Sequence, residues 1–188
     1  MECNCEGKVL CENCRIKRFE SHFESSDSGY PIRAFERAEA SKWLEFADFY
    51  GFEPNKSVML IGGVGTGKTT AFVSKMKYDY CLSFRGTQLY TTTTDMINNI
   101  QNFETRKEFL ELYKNVDMLY IDEFSYNFSS DIIEGLMFSI FDYRYNQRKR
   151  TNFATNRVSI SCPRMGRRVR EMVKGVTVNK EWREHLGV

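Results

Sequence analysis

One run of residues does most to limit what this chain can fold into. Gly62-Gly63-Val64-Gly65-Thr66-Gly67-Lys68-Thr69 fills every fixed position of the phosphate-loop pattern G-x-x-x-x-G-K-[ST]. Apolar Val58-Met59-Leu60-Ile61 leads straight into it, and the helix-compatible Thr69-Thr70-Ala71-Phe72-Val73 follows. A glycine-rich turn that matched by chance would need neither flank, whereas strand–loop–helix is the context the motif requires. Glycines let successive backbone N–H groups turn inward around a phosphate, and the helix N-terminus adds its partial positive charge. The sequence therefore predicts a nucleoside triphosphate site. Gly63, Val64, Gly65, Thr66 and Gly67 supply the loop, and Lys68 reaches the β- and γ-phosphates. Thr69 holds Mg²⁺, and Thr70 follows it at the start of the helix.

Size and composition bound the rest. A chain of 188 residues, 41% of them hydrophobic, accommodates one α/β domain and a small appendage. No apolar run approaches the ~18–20 residues of a membrane span, and Met1-Glu2-Cys3-Asn4-Cys5 does not read as a signal peptide. A soluble cytoplasmic protein without a membrane partner is expected. Net charge is only +2, but basic residues gather late, at Arg144, Arg148, Lys149, Arg150, Arg157, Arg164, Arg167, Arg168, Arg170 and Lys174.

Cysteines gather at the other end, as Cys3-x-Cys5 and Cys11-x-x-Cys14. Two close pairs can offer four thiolates to one tetrahedral Zn²⁺. In a reducing compartment a metal is favoured over disulfides, with free thiols in a mobile tail as the remaining use. His22 can stand in for a cysteine, but a lone histidine more often sits on the surface. Cys81 and Cys162 read as ordinary thiols.

The polar stretch Glu24-Ser25-Ser26-Asp27-Ser28-Gly29 reads as a linker. The expected organisation is a cysteine-rich zinc-binding segment at 1–23, a linker at 24–33 and an ATPase domain at 34–188. Helix periodicity over 34–49 places Phe35, Ala38, Trp43, Phe46, Ala47 and Tyr50 on one stripe, with Gly51 and Pro54 as stops. Residues 87–91 and 116–121 read as strands, 94–103 and 104–114 as helices, and 131–145 as a long helix. Residues 151–155 read as a strand and 163–173 as a helix closed by Gly175. Residues 176–178 form a last strand. This alternation predicts an α/β fold, a parallel sheet with helices on both faces, whose ligands bind at the C-terminal strand ends.

Each of the chemical motifs falls at such an end. Asp122 closes an apolar strand, as does the aspartate that helps hold Mg²⁺ in phosphate-loop proteins. Glu123, beside it, is placed to orient and deprotonate a water. Adjacent carboxylates also occur in plain acidic turns, but a phosphate loop upstream gives these two a use. Asn156 ends a later strand, where an amide can hold the water; capping a loop is its ordinary alternative.

These signals together resemble the AAA+ ATPases, in which a strand carrying a polar sensor lies between the phosphate-loop strand and the Asp-Glu strand. Within that class the chain resembles the DnaC/DnaI-type replicative helicase loaders and their IstB-type transposition relatives, over about residues 34–183. The segments that carry the likeness are Ala38 to Phe52 running into Met59-Leu60-Ile61-Gly62, Phe141-Asp142-Tyr143-Arg144-Tyr145 with Thr151 to Asn156, Met165-Gly166-Arg167-Arg168-Val169, and Val176 to Trp182. The resemblance implies ATP as the nucleotide and Arg168 as an arginine finger acting across a subunit boundary in an ATP-state homo-oligomer. It implies a hexameric replicative helicase as partner, docked through the N-terminal segment. The family's further arginine is replaced here, where Glu171-Met172 stands. Phe124, Tyr126 and Phe128, near basic residues, suggest stacking on single-stranded DNA, with packing inside the protein as the alternative. Helicase loading is the leading function. A transposition regulator and a nucleotide-switched helicase inhibitor with little turnover are the alternatives.

Overall fold

The computed structural model describes residues 38–83, 86–125, 128, 130–156 and 163–185. Cys3, Cys5, Cys11 and Cys14, the expected linker, His22, Phe35, Tyr126 and Cys162 lie outside them. The chain divides into two compact units.

The first takes in described residues 38–55, 69–83 and 86. It holds helix α1 (Ala40–Phe49) and nearly all of helix α2 (Lys68–Tyr78), which continues as a π-helical turn, Asp79–Ser83. The α1 stripe buries Trp43, Phe46 and Ala47 as its periodicity predicts. Gly51, at φ 65°, ends the helix: its N–H and that of Phe52 turn back to the carbonyls of Asp48 and Ala47. The Trp43 indole N–H donates to the Pro54 carbonyl at 2.9 Å. Lys75 is buried but well served, by Asp79 at 2.9 Å, the Pro54 carbonyl at 3.1 Å and the Trp43 ring at 4.9 Å.

The second unit takes in described residues 56–68, 87–125, 128, 130–156 and 163–185. Its strands are β1 (Val58–Ile61), β2 (Gln88–Thr92), β3 (Met118–Asp122), β4 (Arg150–Thr155) and β5 (Lys174–Thr177). They form a five-stranded, all-parallel sheet in the order β2-β3-β4-β1-β5. The helices are α3 (Thr93–Gln101), α4 (Arg106–Asn115), α5 (Asp131–Asn146), α6 (Pro163–Met172) and the short α7 (Glu181–His185). Thr92 caps α3 by accepting from the Asp95 N–H, and Ser130 caps α5 by accepting from the Ile133 N–H. Every residue of β3 is buried, the pattern of a central parallel strand.

On one sheet face Met59, Leu119, Ile121 and Phe153 pack against Met96 and Ile100 of α3, Tyr113 of α4, Ile133, Met137, Ile140 and Phe141 of α5, and Met165 and Val169 of α6. Phe124 is part of this core, its ring 4.6 Å from Phe153 and 5.7 Å from Phe141. Phe128 packs against the same cluster. Apolar rings bury wherever a core is within reach, so for Phe124 the packing alternative holds and it offers no stacking platform for bases. Gly175 differs from expectation. It does not close a helix but lies inside β5, paired with Met59, and α6 stops at Met172. Neither the π-helical turn nor α7 was expected.

Among the described residues no helix is long and apolar enough to cross a membrane.

Candidate functional site

The sheet order decides what meets at its C-terminal edge. Strand β4 lies between β1 and β3. The phosphate loop leaving β1, Asn156 just past β4, and Asp122-Glu123 at the end of β3 therefore fall in one row on adjacent strands.

The loop is held from both sides. The Gly62 N–H donates to the Thr155 carbonyl at 3.1 Å, and the Val178 N–H to the Ile61 carbonyl at 2.6 Å. A Cβ on Gly62 would lie 2.3 Å from the Val178 carbonyl oxygen, so this position is glycine by close backbone approach. Gly65 and Gly67 have φ of 77° and 87°, a left-handed conformation that side chains disfavour. Gly63 meets no such restriction. Its carbonyl instead accepts from Thr66 Oγ1 at 3.0 Å and Lys68 Nζ at 2.7 Å. Val64, 87% exposed, stands at the loop tip. Thr69 and Thr70 occupy the first turn of α2, both partly exposed.

Burial pushes the Lys68 ammonium below the usual lysine range, and the negative charge of Asp122 opposes that push. Lys68 and Asp122 therefore share one electrostatic environment. The Asp122 carboxylate is buried and doubly held: Oδ2 accepts from the Tyr90 hydroxyl at 3.0 Å, and Oδ1 from the Glu123 N–H at 2.8 Å. Glu123 is exposed and sits at φ 51°. A non-glycine residue in that region costs about 1–3 kcal/mol and persists only where its surroundings fix it. Here they do. The Phe124 N–H donates to the Ala154 carbonyl at 2.7 Å, Thr155 Oγ1 to the Phe124 carbonyl at 2.8 Å, and the Ser125 N–H to Thr93 Oγ1 at 3.2 Å. Asn156 follows Thr155 and is exposed.

Arg168 is not in this row. Its guanidinium lies against α5, with Nε 2.9 Å from Asp142 Oδ1 and its charge 4.4 Å from the Tyr145 ring centroid. Glu171 Oε2 is 3.7 Å from its NH1, while Glu171 Oε1 accepts from Arg167 Nε at 3.0 Å. Those contacts with Arg167, and then Tyr145, hold the Glu171 carboxyl below its usual range.

Sequence reasoning missed Tyr90, Thr93 and Thr155. Tyr90 carried no sign in the sequence: only the strand pairing shows that it sits two residues ahead of Thr92, which pairs with Asp122 in register. Residues two apart on a strand share a face.

The bacterial DnaA ATPase domain matches residues 38–179. The chain belongs to that family. The chromosomal replication initiator protein DnaA of Lactobacillus johnsonii is 27% identical over 152 residues, covering 76% of this chain and 33% of the relative. The chain thus spans about a third of that protein's length. Among solved structures, DnaI superposes with a TM-score of 0.65 at 19% identity, covering 81% of this chain and 96% of that one. The DnaC helicase loader gives 0.56 at 24%, covering 72% and 87%. The replication initiator DnaA bound to AMPPCP and single-stranded DNA gives 0.56 at 21%, covering 74% and 45%. The resemblance to AAA+ loaders holds at the level of the fold.

Proposed function

We propose that this chain is an ATP-dependent loader of a replicative DNA helicase. The observation that carries the ATPase part is the row at the sheet edge, where the phosphate loop with Lys68, Asn156 and Asp122-Glu123 lie at the C-terminal ends of three adjacent strands. The donor set fits a Mg²⁺–nucleotide, with left-handed glycines in the loop, a buried lysine beside a buried carboxylate, and an exposed second carboxylate fixed in a costly conformation. In this reading the backbone of Gly63, Val64, Gly65, Thr66 and Gly67 cradles phosphates, helped by Thr70 at the helix start. Lys68 neutralises phosphate charge, and Thr69 and Asp122 hold Mg²⁺. The metal, when bound, offsets charge on the phosphate oxygens. Glu123 takes the proton of the attacking water, and Asn156 orients that water. Residues 34–188 form the ATPase domain.

The loading role draws on the family and on the loader-like segments. DnaA relatives act in chromosome initiation by name, and the loader folds superpose over most of their own length. Partners in this reading are a hexameric replicative helicase, single-stranded DNA and further copies of the chain in the ATP state. Arg168 serves a neighbouring subunit. Cys3, Cys5, Cys11 and Cys14 bind one Zn²⁺ and, past the linker 24–33, present segment 1–23 to the helicase.

A second reading rests on two observations. Arg168 is already bonded to Asp142 in its own chain, and Met172 stands where the loaders carry an arginine. Both favour a nucleotide-switched helicase-binding protein with little turnover. The deciding experiment is capture of partners from the native host with Glu123→Gln, which keeps ATP bound. Recovery of a replicative helicase supports both readings, and a loading assay on protein-coated single-stranded DNA then separates them. Recovery of a transposase without a helicase contradicts both. Less than about half an equivalent of zinc in purified protein contradicts the four-thiolate site.

A further inference from the structure

We infer that Tyr90 is a positioning residue for the metal-holding carboxylate, and thus sets how strongly Mg²⁺ is coupled to nucleotide binding; this rests on the ATP–Mg²⁺ reading above. Tyr90 lies on β2, a strand that carries none of the sequence motifs, and it pairs in register with Tyr120. Residues two apart share a face, so Tyr90 and Thr92 stand on the same side of the sheet as Tyr120 and Asp122. The tyrosine side chain is long enough to lean along the strand, and its hydroxyl donates to Asp122 Oδ2 at 3.0 Å. Tyr90 is 7% exposed and Asp122 5%, so the bond is shielded from water.

The geometry leaves Asp122 one orientation. Its Oδ1 is tied to the Glu123 N–H, a local bond that any turn after an aspartate can make. Its Oδ2 is tied to a different strand, which fixes the plane of the carboxylate relative to the sheet. Each carboxylate oxygen has two lone pairs, so both bonds leave acceptor capacity for a metal or its water shell. Without the Tyr90 hydroxyl the carboxylate keeps its bond through Oδ1, and the Lys68 ammonium, whose charge interacts with Asp122, is free to draw it. A carboxylate drawn to Lys68 serves Mg²⁺ less well. Tyr90 therefore keeps the two opposite charges apart in their tasks, the lysine for phosphate and the aspartate for metal.

The test is equilibrium binding of a fluorescent ATP analogue to the full chain, first in EDTA and then against rising Mg²⁺. Tyr90→Phe keeps the ring and removes the hydroxyl that donates to Asp122. The expected result is unchanged affinity in EDTA, an unchanged nucleotide-free melting temperature to within a few degrees, and a half-saturating Mg²⁺ concentration raised about tenfold, the size of one lost bond to a charged group. Asp122→Asn supplies the second variant. Adding Tyr90→Phe to it should change the Mg²⁺ dependence less than about twofold, because both changes act through one carboxylate. An unaltered Mg²⁺ dependence in Tyr90→Phe overturns the inference, as does a full additional loss in the double variant. A wild-type chain that binds the analogue without any response to Mg²⁺ overturns the ATP–Mg²⁺ reading itself. The two failures are thus distinguishable.

Discussion

Strands β3 and β4 carry a buried charge at each of their ends, and the two ends treat it in opposite ways. At the N-terminal end the charge is Arg144, reaching in from α5. Its Nε donates to Thr151 Oγ1 at 2.8 Å, its NH1 to the carbonyls of Tyr113 at 2.9 Å and Val116 at 2.7 Å, and its NH2 to the Arg150 carbonyl at 2.6 Å. Burial pushes its pKa down to about 9, and Asp117 opposes that shift. Two of the carbonyls belong to the end of α4 and its cap, so the guanidinium also sits at the negative end of a helix dipole. At the C-terminal end the charges are Asp122 and Lys68. Each is held, but Glu123 and Asn156 beside them are exposed. A buried charge whose donors are met by several backbone carbonyls ties elements together. A held charge with capacity left over, bordered by exposed polar groups and a costly backbone, is built to receive something.

That contrast can be broken by substitution, and the two ends should fail differently. Glu123→Gln should lower ATP turnover by about 10²–10⁴, the usual worth of a general base, while ATP affinity and the melting temperature stay near wild type. Steady-state phosphate release together with a binding isotherm checks both parts. Arg144→Leu should do the reverse. It strands several buried carbonyls and should cost about 3–5 kcal/mol of stability by urea denaturation, with nucleotide affinity of the folded fraction retained.

A pH series sharpens the contrast. Because burial dominates, Lys68 loses its proton below the 10.5 of an ordinary lysine. ATP affinity should therefore begin to fall at a lower pH than an unperturbed lysine would give. The stability of the nucleotide-free chain moves the other way. Between the lowered folded-state pKa and 10.5 the unfolded state binds more protons, so this group's contribution to stability rises with pH across that window. Binding and melting curves collected in the same buffers read both signs. The smallest effect belongs to the partly exposed Asp142–Arg168 pair. Asp142→Asn should cost less than about 1 kcal/mol in melting experiments. If Arg168 acts on a neighbouring subunit, the same change should leave turnover intact or raise it in concentrated protein. A clear loss of turnover would contradict that role, because freeing Arg168 from Asp142 should not remove it.

The legible and illegible parts of the chain divide along a physical line. β1, the loop and β3 could be read from sequence because continuous apolar runs, glycines and acidic residues have few other uses. The place of β4 between β1 and β3 was readable only through resemblance, since no local pattern encodes strand order. Phe124 was ambiguous because an aromatic residue after an acidic turn serves a core or a ligand equally well, and only the positions of Phe141 and Phe153 decide it. Gly175 was misplaced because a glycine after a helix usually ends it, whereas here pairing with β1 draws it into a strand. Tyr90 and Thr155 escaped notice because their importance lies in partners about 30 residues away. Arg144 was noticed only among the late basic residues and in a resembling segment; its role as a buried cation follows from two distant backbone segments, 113–116 and 150–151, meeting around it.

The central claim is that the row of groups at the C-terminal strand ends is an ATP–Mg²⁺ site. The most direct measurement is calorimetric titration of wild type and Lys68→Ala with ATP and Mg²⁺, with melting temperatures recorded alongside. The account predicts saturable binding by wild type and a loss of about a hundredfold or more in Lys68→Ala, at little cost in melting temperature. Lys68→Ala binding ATP as tightly as wild type, in a chain that melts normally, would contradict it.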